Sequence, residues 1–240
     1  MADIQFEDPR LVALYDPLDP VRDDLDHYVA IVTEFGASSI LDIGCGTGTF
    51  ACLLAASGLD VVGVDPAAAS LAVARGKPAA DRVRWIQSNA TALPPLQVDL
   101  VMMTGNVAQV FLDDVEWNEV LRSVIRSLRR GGRIIFEVRD PSRRAWESWT
   151  KQQSLTRAFV PDVGVVESWT EVVDVTAQLV TFTTTFEVGG LRFTSESTLR
   201  FRTRDQVETS LTSAGFSLVE VRDAPDRPGL EFVFIAERPA

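Results

Sequence analysis

Asp42, Gly44, Gly46 and Gly48 occupy every second position of the run Leu41-Asp42-Ile43-Gly44-Cys45-Gly46-Thr47-Gly48. Glycines spaced in this way let the backbone turn sharply, and with no Cβ in the way a ligand can approach it closely. A helix starting behind them would point its free N–H groups and its positive end at the same ligand. Such a loop suits a nucleoside-type cofactor at the carboxyl ends of parallel strands. The dinucleotide fingerprint requires Gly or Ala at the sixth position counted from Gly44, and that residue is Thr49. The carboxylate of Asp42, just ahead of the glycines, suits a ligand with an ammonium group and opposes one with a pyrophosphate. Asp65 follows Gly48 by 17 residues. At the end of the next strand, a carboxylate can accept both hydroxyls of a ribose. It can also cap the following helix, a role that Pro66 fits as well.

Two further residues are candidates for catalysis. His27, the only histidine, can act as a general base, although a lone histidine on a helix is more often incidental. Arg139 can hold an anionic acceptor, or it can be a solvated arginine at a strand end. The only cysteines, Cys45 and Cys52, have no histidine nearby and make neither a zinc site nor a disulfide framework, so no metal is expected.

The surrounding sequence must position these groups, and its periodicity predicts how. Leu11 to Pro20 is rich in Pro and Asp and is expected to be a loop. Asp19-Pro20 then reads as an N-cap and first helical residue, with Val21, Leu25, Tyr28, Val29, Val32 and Phe35 at helical spacing up to Gly36. Strands are expected at 39–43, 61–65, 83–87, 98–104 and 133–138. Helices are expected at 49–57, 67–75 and 114–128, the last ended by Gly131-Gly132. Short apolar strands alternating with helices imply crossovers and a parallel sheet. After Asp140, expected to cap a short helix over 141–150, the pattern changes. Segments 163–175, 178–188 and 191–202 are rich in Val, Thr and Phe, and Gly189-Gly190 marks a hairpin. Thr203 and Gln206 form a capping box for a helix ending at Gly215, and strands at 216–221 and 231–236 close the chain as an antiparallel pair. The expected fold class is α/β: a Rossmann-like, doubly wound, mostly parallel seven-stranded sheet with an antiparallel last hairpin, plus a small antiparallel β insertion. The divisions are a cap segment at 1–36, a cofactor-binding domain at 37–149 and 203–240, and the insertion at 150–202.

The chain has 240 residues, 46% hydrophobic and 24% charged, which suits a globular protein with a sizeable core. Its formal net charge of -11 argues against a polyanionic partner, because nucleic-acid affinity comes from Lys and Arg neutralising phosphates. The start, MADIQFEDPR, is acidic and polar, unlike a signal peptide, and no apolar run is long enough for a membrane span. The cytoplasm is therefore the default expectation, with no nucleic-acid and no membrane partner.

Taken in order, these segments resemble the class I, Rossmann-like S-adenosylmethionine-dependent methyltransferases. LDIGCGTG is similar to the first motif of that family, VVGVD to the second, QSNATALP to the third and VDLVMMTGNVAQVF to the fourth. RRGGRIIFEV is similar to the segment leading into the fifth strand. Asn89 stands where the third motif usually has an acidic residue. The resemblance implies S-adenosylmethionine as cofactor and S-adenosylhomocysteine as product. The implied contacts come from Asp42, Gly44, Cys45, Gly46, Gly48, Asp65, Pro66, Asn89, Ala90, Thr104, Gly105 and Asn106. Tyr15-Asp16, Tyr28 and STLRFRTRDQVETSLTSAGF further resemble small-molecule N-methyltransferases, including those acting on aminosugars. That resemblance places Tyr15 and Tyr28 near the methionine moiety and makes the insertion a wall of the acceptor pocket. Tyr28 reads equally well as a core residue of its helix. Trp146, Trp149 and Trp169 can line that pocket or serve ordinary packing.

The expected function is methyl transfer by in-line displacement to a small-molecule acceptor, with nitrogen ahead of oxygen. An NAD-dependent oxidoreductase is the alternative opposed by Thr49 and Asp42. A non-catalytic, S-adenosylmethionine-binding regulatory protein is a third reading. Monomer and homodimer both remain open.

Overall fold

The computed structural model describes residues 3–240; Met1 and Ala2 of the expected cap segment lie outside the described residues. Strand β1 (Ser39–Ile43) is buried at all five positions. A continuous apolar run of this kind is what a parallel strand covered on both faces requires. It pairs in parallel with β2 (Asp60–Asp65) on one side and β4 (Val98–Met103) on the other. β3 (Val83–Gln87) extends the sheet beyond β2, and β5 (Leu128–Arg139) extends it beyond β4. β11 (Glu231–Glu237) runs antiparallel to β5, and β10 (Ser217–Asp223) antiparallel to β11. The seven-stranded order is β10-β11-β5-β4-β1-β2-β3.

Helices cover both faces. α4 (Thr49–Ala56) packs on one face with α3 (Asp26–Glu34), burying Phe50, Ala51, Leu54, Tyr28, Ile31 and Val32 against Ile40, Leu100, Met102 and Ile135. α6 (Asp114–Ser127) covers the other face with Trp117, Val120, Leu121 and Val124. α8 (Arg204–Ser213) adds Val207 and Leu211 to that second layer. α8 opens with the expected capping box, in which Thr203 and Gln206 satisfy each other's backbone N–H groups. α5 (Ala68–Ala74) links β2 to β3.

The remaining strands form a separate antiparallel sheet in the order β6 (Thr156–Val160), β7 (Gly164–Thr176), β8 (Leu179–Val188) and β9 (Leu191–Arg200). One of its faces carries Val160, Val166 and Phe186, which pack on Leu11 and Leu14 of α2 (Pro9–Leu18). α1 (Ile4–Glu7) reaches the same sheet through Gln5, whose N–H donates to Ser195 Oγ at 3.1 Å. Ser70 Oγ of α5 donates to the Phe6 carbonyl at 2.9 Å. The N-terminal pair of helices therefore bridges the small sheet and the main one.

Several local expectations are corrected. Residues 11–20 are mostly helix, because Asp8 caps Arg10 N–H and Pro9 takes the first position, the same signal that was read one step later at Asp19-Pro20. The following helix starts only at Asp26, after a 3-10 turn at Asp23–Leu25. α6 stops at Ser127, and Gly131-Gly132 lies inside the long β5; a Cβ on Gly132 would stand 2.9 Å from the Arg129 carbonyl oxygen. Asp140 does cap Ser142 N–H, but residues 141–148 form two 3-10 turns rather than one helix, followed by α7 (Lys151–Ser154). The short strand β6 was not anticipated.

Leu14 is only 3% exposed and seats α2 on the small sheet. Leu14→Ala is expected to cost about 3 kcal/mol in urea denaturation and to open the N-terminal segment to limited proteolysis. A cost below about 1 kcal/mol would show that α2 is not docked there.

Candidate cofactor and acceptor site

β1 carries Asp42 next to its last residue, Ile43, and the chain then reverses through Gly44, Gly46 and Gly48, with φ of 69°, 53° and 77°. Residues with a Cβ rarely adopt this region. At two of these glycines the space is also taken. A Cβ on Gly44 would come 2.5 Å from Val107 Cγ2, and one on Gly48 would come 2.5 Å from the Trp85 ring. Gly44 and Cys45 both donate to the Val64 carbonyl, at 2.8 and 3.2 Å, tying the loop to β2. Asp65, at the end of β2, accepts from Gly46 N–H through Oδ2 and from Ala67 N–H through Oδ1, each at 2.8 Å. Asp65 thus holds the glycine loop and the approach to α5 together, and its carboxylate still has unused lone pairs.

Asp42 is 1% exposed, and neither of its oxygens has a hydrogen-bond partner. Burial, with the nearby Asp65 carboxylate, pushes its pKa up to about 8. Burial also raises the pKa of Asp65 and that of the half-buried Cys45 thiol. Asn89 is exposed at the start of the 3-10 turn Ala90–Ala92, while Ala90 is buried. Pro66 is exposed, and its carbonyl accepts from Gln87 Nε2 at 3.2 Å. After β4, Thr104 is half-buried, Gly105 has φ 74° and Asn106 has φ 61° with 2% exposure. The structure brings Asp42, Gly44, Cys45, Gly46, Gly48, Asp65, Pro66, Asn89, Ala90, Thr104, Gly105 and Asn106 together along the carboxyl ends of four adjoining strands, β3-β2-β1-β4.

The two tyrosines diverge. Tyr15 is 42% exposed and sits against the Phe6 ring at 5.9 Å. Tyr28 is buried, and its hydroxyl donates to Glu137 Oε2. The His27 ring lies tilted against Tyr28, centroids 3.8 Å apart, with Nδ1 4.0 Å from Asp226 Oδ1 and Nε2 buried without a partner. Burial lowers its pKa, so it is neutral near pH 7. Arg139 is not a solvated strand-end arginine. Its Nη1 donates to Gln109 Oε1 at 3.1 Å, and its Nε lies 3.6 Å from Glu231.

The sequence gives no role to either Asp16 or Glu137. Asp16, on α2, accepts from Thr47 and Thr49 hydroxyls at 2.8 and 3.3 Å and pairs with Lys77 at 2.8 Å, clamping α2 onto the glycine loop. Glu137 is 2% exposed on β5 and also accepts from Asn106 N–H at 2.5 Å. Burial pushes its pKa up to about 7 against those two hydrogen bonds. The charge inside the apolar run Ile134-Ile135-Phe136-Glu137-Val138 was a visible signal, whereas nothing local to Asp16 announced its partners.

The sequence family that matches residues 40–132 is described as a methyltransferase domain. The match covers less than half of the chain. Demethylmenaquinone methyltransferase of Clavibacter sepedonicus is 36% identical over 108 residues, which is 44% of this chain and 42% of that one. The match thus spans less than half of that relative's length. Among solved structures, an S-adenosylmethionine-dependent methyltransferase from Clostridium acetobutylicum superposes with a TM-score of 0.74 at 17% identity, covering 96% of this chain and 98% of the other. The sugar N-methyltransferase KedS8 from Streptoalloteichus sp. gives 0.76 at 18% identity, covering 91% and 88%. The fold is therefore the Rossmann-like methyltransferase fold.

The matched segment ends at residue 132, within β5. Beyond it, Trp149 packs edge-on to Phe182 at 4.9 Å, and Trp146 to Phe201 at 4.6 Å, with the Arg139 guanidinium 5.5 Å from the Trp149 ring. Trp169 points the other way. Its neighbour Ser168 pairs with Phe186 on the face that meets α2, so Trp169 occupies the opposite face, under the Lys151 ammonium at 3.4 Å. No helix among the described residues is long and apolar enough to cross a membrane.

Asp42 and Glu137 have pKa values raised on folding, to about 8 and about 7, so the folded chain favours their protonated forms. That stabilisation is complete below the unfolded values near pH 4 and is lost as pH rises through the folded ones. Between pH 5 and 7 the unliganded parent should therefore lose stability more steeply than Asp42→Asn, by about 1 kcal/mol per pH unit. Urea denaturation at both pH values measures the difference. Parallel slopes would show that Asp42 is ionised in the fold.

Proposed function

We propose that the chain is an S-adenosylmethionine-dependent methyltransferase acting on a small-molecule acceptor, with nitrogen favoured over oxygen. The observation that carries this reading is the pair of unpartnered, buried Asp42 oxygens beside a loop whose three glycines all take a left-handed φ. A buried carboxylate without a donor is costly and calls for a cationic hydrogen-bond donor. The α-ammonium of S-adenosylmethionine is such a donor, whereas the pyrophosphate of a dinucleotide brings no donor to Asp42.

When bound, the cofactor supplies an electrophilic methyl group on a positive sulfur. The chain's own residues do the rest. Asp42 takes the ammonium, Asp65 accepts ribose hydroxyls with its unused lone pairs, and the residues at the ends of β3 and β4 bound the adenine and methionine sides. α2, fastened by Asp16, covers the loop and keeps water from it. Arg139, Trp149 and Phe182 line the approach from the small sheet and stand where an acceptor would enter. Two features support nitrogen. The net charge of -11 favours a cationic acceptor over an anionic one. An amine can also lose its proton to solvent before attack and needs no dedicated base, whereas a hydroxyl more often does.

Titration calorimetry is expected to show binding of S-adenosylhomocysteine and none of NAD. Asp65→Ala, if folded, is expected to weaken that binding by about 2 kcal/mol or more. Binding of NAD alone would overturn the reading, and unchanged affinity in Asp65→Ala would remove the ribose assignment. Turnover on amines but not on the matching alcohols is the expected outcome of an acceptor panel.

A further inference from the structure

We propose that Tyr28 and Glu137 are positioning residues that hold Asn106 with its amide oxygen aimed at the cofactor's ammonium group, beside Asp42. The inference rests on the methyltransferase reading and deepens it.

Glu137 sits in a strand whose neighbours Ile134, Ile135, Phe136 and Val138 are at most 3% exposed. Burying a carboxylate there costs several kcal/mol unless both oxygens are hydrogen-bonded. Both are. One accepts from the Tyr28 hydroxyl, delivered by α3 from 109 residues away, and the other from the Asn106 backbone N–H at 2.5 Å. Asn106 has a left-handed φ of 61°, which asparagine tolerates better than most residues but which still needs support. The hydrogen bond to Glu137 supplies it.

The orientation of the Asn106 side chain then follows from charge. Its Nδ2 lies 3.3 Å from Glu231 Oε1. Glu231 is buried, and the same Oε1 accepts from Arg227 Nη1 at 2.8 Å, so it faces Asn106 as an acceptor. The amide nitrogen must face it, which turns Oδ1 the other way. That oxygen is buried and has no partner.

The next residue places it. The Val107 side chain wedges against Gly44, so the turn after β4 abuts the glycine loop. Asp42 is in register with Met102 of β4, and Met102, Ile135 and Tyr28 belong to the core layer on one face of the sheet. Strand alternation puts Asp42 and Glu137 on that same face. The unpartnered acceptors of Asp42 and Asn106 thus number three, at the ends of adjacent strands. An ammonium group offers three N–H donors and no acceptor, which matches them.

The test compares two ligands that differ in the amino-acid portion. S-adenosylhomocysteine carries the ammonium; 5′-methylthioadenosine lacks it and keeps the nucleoside. Glu137→Ala and Asn106→Gly, the latter keeping the positive φ at no cost, should each lose tenfold or more affinity for S-adenosylhomocysteine. Both should bind 5′-methylthioadenosine within threefold of the parent. Glu137→Gln, which still offers an oxygen to the Asn106 N–H, should restore S-adenosylhomocysteine binding to within threefold. Equal loss on both ligands, or no loss on S-adenosylhomocysteine in a folded variant, overturns the positioning role. If Glu137→Ala does not fold, Asn106→Gly alone decides. A parent that binds neither ligand removes the methyltransferase reading, and the proposal with it.

Discussion

The chain buries an ionisable group, Asp42, and leaves it without a hydrogen-bond partner at the point where β1 turns into α4. A domain tolerates such a cost where a ligand will meet it, and much of the surrounding structure keeps that place empty of protein atoms. The glycines at 44 and 48 let the loop pack against Val107 and Trp85, where a Cβ would collide. Val64 and Asp65 hold the loop from the β2 side, and Val107 holds it from the β4 side. The loop is therefore fixed between two neighbouring strands, and a ligand need not order it on arrival.

The parts outside the central sheet serve the same edge. α1 and α2 rest on the small antiparallel sheet through Leu11 and Leu14 and on α5 through Phe6. Their far end is clamped by Asp16 to Thr47, Thr49 and Lys77. One short segment thus connects the glycine loop to the small sheet. Its hydrogen bonds are partly exposed, so it can be released at less cost than the core strands.

What could be read in the sequence was local. The strand-turn-helix at 39–56 and the capping box at Thr203 are written in consecutive residues, and the structure shows both. The alternation of strands and helices gave the main sheet, including its antiparallel end. The cap segment was misread because Asp8-Pro9 and Asp19-Pro20 carry the same helix-start signal and only tertiary contacts with the small sheet favour the first. Strand β6 is too short for its periodicity to stand out and exists because β7 pairs with it. The Tyr28–Glu137 hydrogen bond joins residues 109 apart. No spacing rule reaches that far, so Tyr28 could not be assigned between core and site. Trp169 was grouped with Trp146 and Trp149 by residue type, but the parity of its strand sends it to the opposite face.

The central claim is that Asp42 awaits a cation. With its pKa pushed up to about 8, Asp42 is largely protonated at pH 7 in the unliganded chain, and an ammonium group set against it must drive the proton off. Titration of S-adenosylhomocysteine at pH 7 in buffers of different ionisation enthalpy counts that proton directly. The expected result is release of close to one proton per ligand by the parent and a much smaller release by Asp42→Asn. An observed binding enthalpy that is the same in every buffer would contradict it.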